Sequence, residues 1–203
     1  KAEIETLENE RRRIASDLHD EIGPLLSAVK LQINNLETEL DDDRQLIVKS
    51  SQYLDSIIKR MREIAANLMP NTLLRKGLRR ALDELVASNS NLYNLEIRFT
   101  CEQEPKLDQN QEINIYRIMQ EIIHNTVKHA EATCLIVRLT IENNVLFLFT
   151  ADNGKGFDFN AKNRENAGLG LRNLQSRADI MGGEFSCRSE PGKGTMLTFE
   201  IPL

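Results

Sequence analysis

The 203 residues predict an α+β protein in two parts, a long antiparallel helical hairpin followed by an α/β sandwich with a mixed, mostly antiparallel sheet. Three observations carry this reading. Apolar residues recur every three or four positions through the first third of the chain. After Pro70 the pattern changes to short helices among alternating strands, and glycine-rich loops punctuate the last quarter.

From Ile4 the apolar positions are Leu7, Ile14, Leu18, Ile22, Leu25, Val29, Ile33, Leu36 and Leu40, a bundle seam in which only Arg11 is polar. Asp41-Asp42-Asp43 reads as a turn, and a second helix follows through Leu46, Ile47, Leu54, Ile57, Ile58, Met61, Ile64 and Leu68 to Met69-Pro70. One such hairpin leaves too much apolar stripe bare, so two copies are expected to pack as a four-helix bundle, a homodimer. Past a linker at Pro70-Asn71-Thr72, helices are expected from about Gly77 to Asn91, Gln109 to Ala130 and Gly168 to Met181. Strands are expected at Leu95 to Thr100, Cys134 to Ile141, Val145 to Ala151, Glu184 to Ser189 and Met196 to Ile201, with Asn143-Asn144 as a hairpin turn. The domains are thus residues 1–70 and 71–203.

A net charge of −5 gives no basic surface to neutralise a run of phosphates, so nucleic acid is not an expected partner. Cys101, Cys134 and Cys187 lack ligand or pairing spacing and read as reduced residues of a cytoplasmic protein. No apolar run is long enough to span a bilayer. The chain starts at Lys1 inside a charged helical pattern, which suggests a fragment whose sensor or membrane segment lies upstream.

Two constellations carry chemistry. His19 lies one position past the seam residue Leu18, at the flank of the bundle, with Asp17 before it and Asp20 after it. A carboxylate neighbour can hold one ring nitrogen as N–H while the other keeps its lone pair for attack. Gly23-Pro24 should bend or loosen the helix beside it, because proline lacks an N–H and crowds the carbonyl of Asp20. A lone histidine on a charged helix is ordinarily just solvated, so the second constellation has to lift it.

Glu121, Asn125, Lys128 and His129 are spaced to share one face of a helix, a stripe too polar for plain core packing, and an Asn or Glu oxygen suits Mg²⁺. Asp152-Asn153-Gly154-Lys155-Gly156-Phe157 follows an apolar strand: a carboxylate there can accept from an adenine amino group, and Gly154 and Gly156 let backbone approach a flat base. Gly168-Leu169-Gly170-Leu171 opens a helix whose free N–H groups favour phosphate, and Gly192 to Thr195 supplies a further glycine turn with a hydroxyl.

These motifs resemble the sensor histidine kinases of two-component systems, in particular the nitrate-sensor-like subfamily with His-Asp at its phosphoacceptor. Leu18-His19-Asp20 is similar to the H box, Glu121 to Ala130 to the N box, Asp152 to Phe157 to G1 and Gly168 to Leu171 to G2. The resemblance implies a dimerisation and phosphotransfer hairpin followed by a Bergerat-type ATP-binding domain, autophosphorylation from ATP and Mg²⁺, and transfer to an aspartate of a response regulator receiver domain. It implies His19 as phosphoacceptor, Asp20 as its acid/base partner, Asn125 as metal ligand and Glu121 as helper at the metal. Lys128 and His129 would contact phosphate, Asp152 would read adenine, and residues 158–167 would form a lid. Pro24 stands where the subfamily has Gln or His, and Gly23 where the larger histidine kinase subfamily has Asn or Thr, so neither known phosphatase device is present. The alternative reading is a dimeric nucleotide-binding scaffold that transfers nothing.

Overall fold

The computed structural model describes residues 2–36, 41–68, 71–93, 95–158 and 169–203. The chain divides into two compact units, Lys1–Asn71 and Thr72–Leu203.

The first unit is helical. Helix α1 (Ala2–Asp17) runs into a π-helical turn (Leu18–Ile22) and then α2 (Gly23–Asn34), and α3 (Asp41–Leu68) returns against them. The loosening expected at Gly23-Pro24 takes the form of this π turn. The N–H of Gly23 bonds back to Leu18 O, five residues earlier, and the missing N–H of Pro24 falls at the first turn of α2, where it is tolerated. The wider turn also leaves room for Met61, whose side chain would lie 3.5 Å from a Cβ added at Gly23. Asp41 to Asp43 are not a turn but the first residues of α3.

Helix α3 carries two apolar stripes. Ile58, Met61 and Ala65 are buried inside the hairpin with Ala15 of α1, and Lys30 of α2 pairs with Asp55 at 2.5 Å. Leu46, Tyr53, Ile57 and Ile64, spaced seven, four and seven apart, stay exposed, as do Leu7, Leu25 and Val29.

The second unit is a sandwich of helices on a five-stranded sheet. After α4 (Asn71–Tyr93) come β1 (Glu96–Cys101), α5 (Gln109–Asn125) with a π-helical extension (Thr126–Ala130), β2 (Cys134–Glu142), β3 (Val145–Asp152), α6 (Leu169–Ile180), β4 (Glu184–Ser189) and β5 (Thr195–Pro202). Strand order is β1-β2-β3-β5-β4, with β1 parallel to β2 and every other pair antiparallel. Asn143 and Asn144 both take positive φ, 50° and 63°, as a type I′ hairpin between β2 and β3 requires. Helix α4 is interrupted at Gly77 (φ 79°, ψ 175°), and the N–H of Leu78 is taken up by Glu112 Oε1 at 3.3 Å, so the helix read from Gly77 onward is the second of two segments.

Inward residues of the sheet form the core: Leu135, Val137 and Leu139, Leu146 and Leu148, and Leu197, Phe199 and Ile201. Ile115, Ile118, Met119 and Ile122 of α5 and Leu174 and Ala178 of α6 complete it. Asp108 and Gln111 close a capping box at the start of α5. Arg177 of α6 donates to Asn114 of α5 at 2.9 Å, a buried polar link that fixes the two helices that carry the site. Among the described residues no helix is long and apolar enough to cross a membrane, and no disulfide joins the three cysteines.

Candidate functional site

A cavity of about 450 Å³ opens in the second unit between α5, the start of α6 and the ends of β3 and β5. Glu121, His124, Asn125 and His129 line it from α5 and its extension, Gly170, Leu171 and Asn173 from α6, and Thr150, Asp152, Gly156, Phe157 and Thr195 from the strands and their loops. Its floor is apolar: Ile122, Leu135, Leu174 and Leu197.

Asp152 ends the inward-outward alternation of β3. Its Oδ1 accepts from Gly154 N at 2.8 Å, and the Thr195 backbone also bonds to its carboxyl. Burial nonetheless pushes the Asp152 carboxyl above its ordinary value, since these two N–H groups only partly replace lost water. The loop beyond it is fastened at several points. Asn153 Oδ1 accepts from the N–H groups of Thr133 and Cys134, both at 2.9 Å, Lys155 N donates to Ala130 O, and Gly192 N donates to Lys155 O. Gly154 is buried against Ala130, so close that a Cβ there would collide with the Ala130 carbonyl. It forms the wall behind the cavity rather than its lining.

Across the cavity Asn125 Nδ2 donates to Glu121 Oε1 at 3.1 Å. That bond fixes the amide and leaves its Oδ1 available. Gly170 lies directly over the pair, and a side chain in its place would meet Glu121 Oε1 and then Asn125. The helix continues as a π turn from Thr126 to Ala130, hydrogen-bonding i to i+5, so one revolution takes up more residues than the ~3.6 of an α-helix. The face shared by Glu121, Asn125, Lys128 and His129 is therefore not preserved: His129 comes back into phase with Asn125 and lines the cavity, whereas Lys128 is exposed and is not among the lining residues.

In the hairpin unit His19 is exposed on the other π turn, beside half-buried Leu18. Asp20 accepts from Ser16 Oγ at 2.8 Å and Asp17 pairs with Arg13 at 3.6 Å, so neither neighbouring carboxylate is engaged with the ring. Gly168 and the expected lid lie outside the described residues, apart from Asp158. Leu169 begins α6.

Residues 10–73 match the family described as "Histidine kinase", and residues 110–203 match that described as "Histidine kinase-, DNA gyrase B-, and HSP90-like ATPase". The chain belongs to the histidine kinases. It is 32% identical over 200 residues to the sensor protein VraS of Staphylococcus haemolyticus, an alignment covering 97% of this chain and 56% of that protein. It is 30% identical over 205 residues to the sensor histidine kinase ComP of Bacillus subtilis, covering 97% of this chain and 27% of that one. The kinase chain thus spans about half the length of one relative and about a quarter of the other. In fold it is similar to the histidine kinase domain of the blue-light activated kinase of Erythrobacter litoralis EL346, with a TM-score of 0.58 at 16% identity over 91% of this chain and 96% of that one.

Three residues that line or brace this cavity carry no signal of their own in the sequence for that role. Thr150 was visible only as a polar residue on the inward phase of β3, between Leu148 and the loop. His124 precedes Asn125 inside the N box and faces the cavity because the last α-helical turn brings it there. Asn153 sits in the glycine loop, yet its work is done by its side chain on β2.

Proposed function

We propose that this chain is the catalytic portion of a sensor histidine kinase: it binds ATP in the second unit, phosphorylates His19, and passes the phosphoryl group to an aspartate in the receiver domain of a response regulator. The observation that carries this reading is one chain holding both an exposed imidazole next to a carboxylic acid and a cavity with acceptors at one end and the Glu121–Asn125 pair at the other. The division of labour follows the sequence boundary, with 1–70 as dimerisation and phosphotransfer domain and 71–203 as ATP-binding domain.

Asp152 accepts from the adenine amino group, while Gly156, Thr195 and the apolar floor enclose the base. Gly154 shapes the loop from behind. The N–H groups of Leu169, Gly170 and Leu171 at the start of α6, and the His129 imidazole, face phosphate, a role proposed also for Gly168 of the same motif, which lies outside the described residues. Asn125 Oδ1 fits Mg²⁺, because the amide is already oriented by Glu121 and an ion that keeps waters and phosphate oxygens needs few protein ligands. Among the described residues no cluster of three or more His, Cys, Asp or Glu side chains offers a different metal site. When bound, Mg²⁺ neutralises charge on the transferring phosphoryl group. The chain's own steps are to hold the nucleotide, to keep Asn125 aimed, and to present His19 in line with the γ-phosphorus. Asp20 exchanges its bond to Ser16 for the ring N–H, so that the other nitrogen attacks as the P–O bond to ADP breaks. Gly23 and Pro24 offer no side-chain group to position water, so removal of the regulator's phosphoryl group is not part of this proposal.

The bare stripe of α3 supports a homodimer through a four-helix bundle. The module works in the cytoplasm, where nucleotide and regulator are found, and its signal arrives from a sensor segment upstream.

Incubation with Mg²⁺ and γ-labelled ATP tests the proposal. Label that survives base and is lost in acid is expected on the wild type and absent from His19→Gln, with nucleotide affinity unchanged in that variant. Acid-stable label, or label persisting without His19, overturns it.

A further inference from the structure

Ser189, the last residue of β4, lies opposite the first residue of β5, Thr195, and makes three hydrogen bonds. Its Oγ is 2.9 Å from Phe157 N, 3.0 Å from Gly194 O and 3.0 Å from Thr195 Oγ1. A hydroxyl has one proton and two lone pairs, which leaves one assignment that satisfies all three partners. The Phe157 N–H donates to Ser189, and Ser189 donates to the Gly194 carbonyl, which can only accept. Thr195 must therefore donate its proton to Ser189. Thr195 lines the cavity, so the face of its hydroxyl that remains is a pair of lone pairs. Beside it the Asp152 carboxylate, held by the Gly154 and Thr195 N–H groups, is also an acceptor.

The geometry points to Ser189 as the positioning residue that sets the base preference of this cavity: by turning the Thr195 proton away, it leaves only acceptors at the Asp152 end, which suits a purine bearing a 6-amino group and opposes one bearing a 6-keto oxygen. This rests on the reading of the cavity as a nucleotide site. A 6-amino group brings two N–H donors to two acceptors. A 6-keto oxygen brings lone pairs against lone pairs, and without Ser189 the Thr195 hydroxyl is free to rotate and donate to that oxygen. The bond from the Phe157 N–H also ties Phe157, a residue of the cavity lining, to Ser189, so loss of Ser189 is expected to weaken both nucleotides alike as well. Only the ratio between nucleotides reports the orienting role.

The experiment is calorimetric titration of the full chain with ADP and with IDP, which differ at position 6 of the base. The wild type is expected to favour ADP, and Ser189→Ala to reduce that preference by at least about fivefold, the scale of one mispaired buried polar group. Thr195→Val, which removes the oriented hydroxyl and keeps Ser189, should reduce the preference similarly, and the double variant should lose no more than Thr195→Val alone. A preference left unchanged by Ser189→Ala, with both nucleotides weakened alike, overturns the assignment, as does an unchanged preference in Thr195→Val. No ADP binding by the wild-type chain would instead remove the nucleotide reading on which it stands.

Discussion

Asp152 is asked to do two opposed things. In the role proposed for it, it must be ionised to accept from a base, and it is buried enough that its carboxyl is pushed above its ordinary value. An acid whose folded pKa exceeds its unfolded one costs stability at every pH above the folded pKa, and that cost fades as pH falls toward the unfolded value. Nucleotide-free Asp152→Asn is therefore expected to melt higher than the wild type at pH 7, with the gain shrinking by pH 4, as thermal scans would show. Its affinity for ADP should move the other way. Wild-type affinity should fall on acidification earlier than for an ordinary carboxylate, and the Asn variant should start weak and lose this dependence. A variant that is neither more stable nor weaker in binding would take the adenine-reading role from Asp152.

At the scale of elements, the two histidine-bearing motifs each sit on a deformation of a helix: His19 on one π turn, His129 on the other. Glycines at the junctions let elements touch, and two of them make contrasting predictions. A methyl at Gly154 meets the backbone carbonyl of Ala130, which cannot move without carrying the loop, so Gly154→Ala should cost about 1–3 kcal/mol in a urea melt. A methyl at Gly170 meets the end of the Glu121 side chain, which can swing away. Gly170→Ala should keep most of its stability but break the Glu121–Asn125 bond, so that autophosphorylation falls and demands more Mg²⁺. Much of this architecture was legible in the chain: the Asn143-Asn144 turn, the alternation of β2 and β3, and the inward residues from Leu135 to Ile201 follow from periods of two and of three to four. What resisted were departures from those periods. The π turn at Thr126 leaves His129 in the cavity lining but not Lys128, a split that a fixed helical period cannot anticipate, and Gly77 breaks α4 at a residue that reads as an ordinary start. Ser189 was invisible for another reason: its partners Phe157, Gly194 and Thr195 meet it only through loop geometry and the register of β4 on β5.

For the whole molecule, the two units differ in how they satisfy their apolar residues. The Thr72–Leu203 unit buries most of its own, from Leu78 and Leu82 in α4 to Phe199 and Ile201 in β5. The hairpin does not: Ile58, Met61 and Ala65 are covered, while Leu46, Tyr53, Ile57 and Ile64 form an equally regular stripe in contact with water, with Tyr53 70% exposed. A seven-four-seven spacing is the repeat by which helices interlock side by side, and a second copy would supply the matching stripe by symmetry. Exposed hydrophobic side chains along that stripe are thus better explained by a missing half than by a tolerant surface. A charge placed at its centre would be buried twice per dimer without a partner. Ile57→Glu is therefore expected to shift the sedimenting species from two chains to one at micromolar concentration, while ADP affinity, set by residues that all belong to the other unit, stays within about twofold of wild type. A variant that remains dimeric would place the association surface elsewhere on the chain, and one that loses nucleotide binding as well would mean that the sandwich depends on the bundle for its fold.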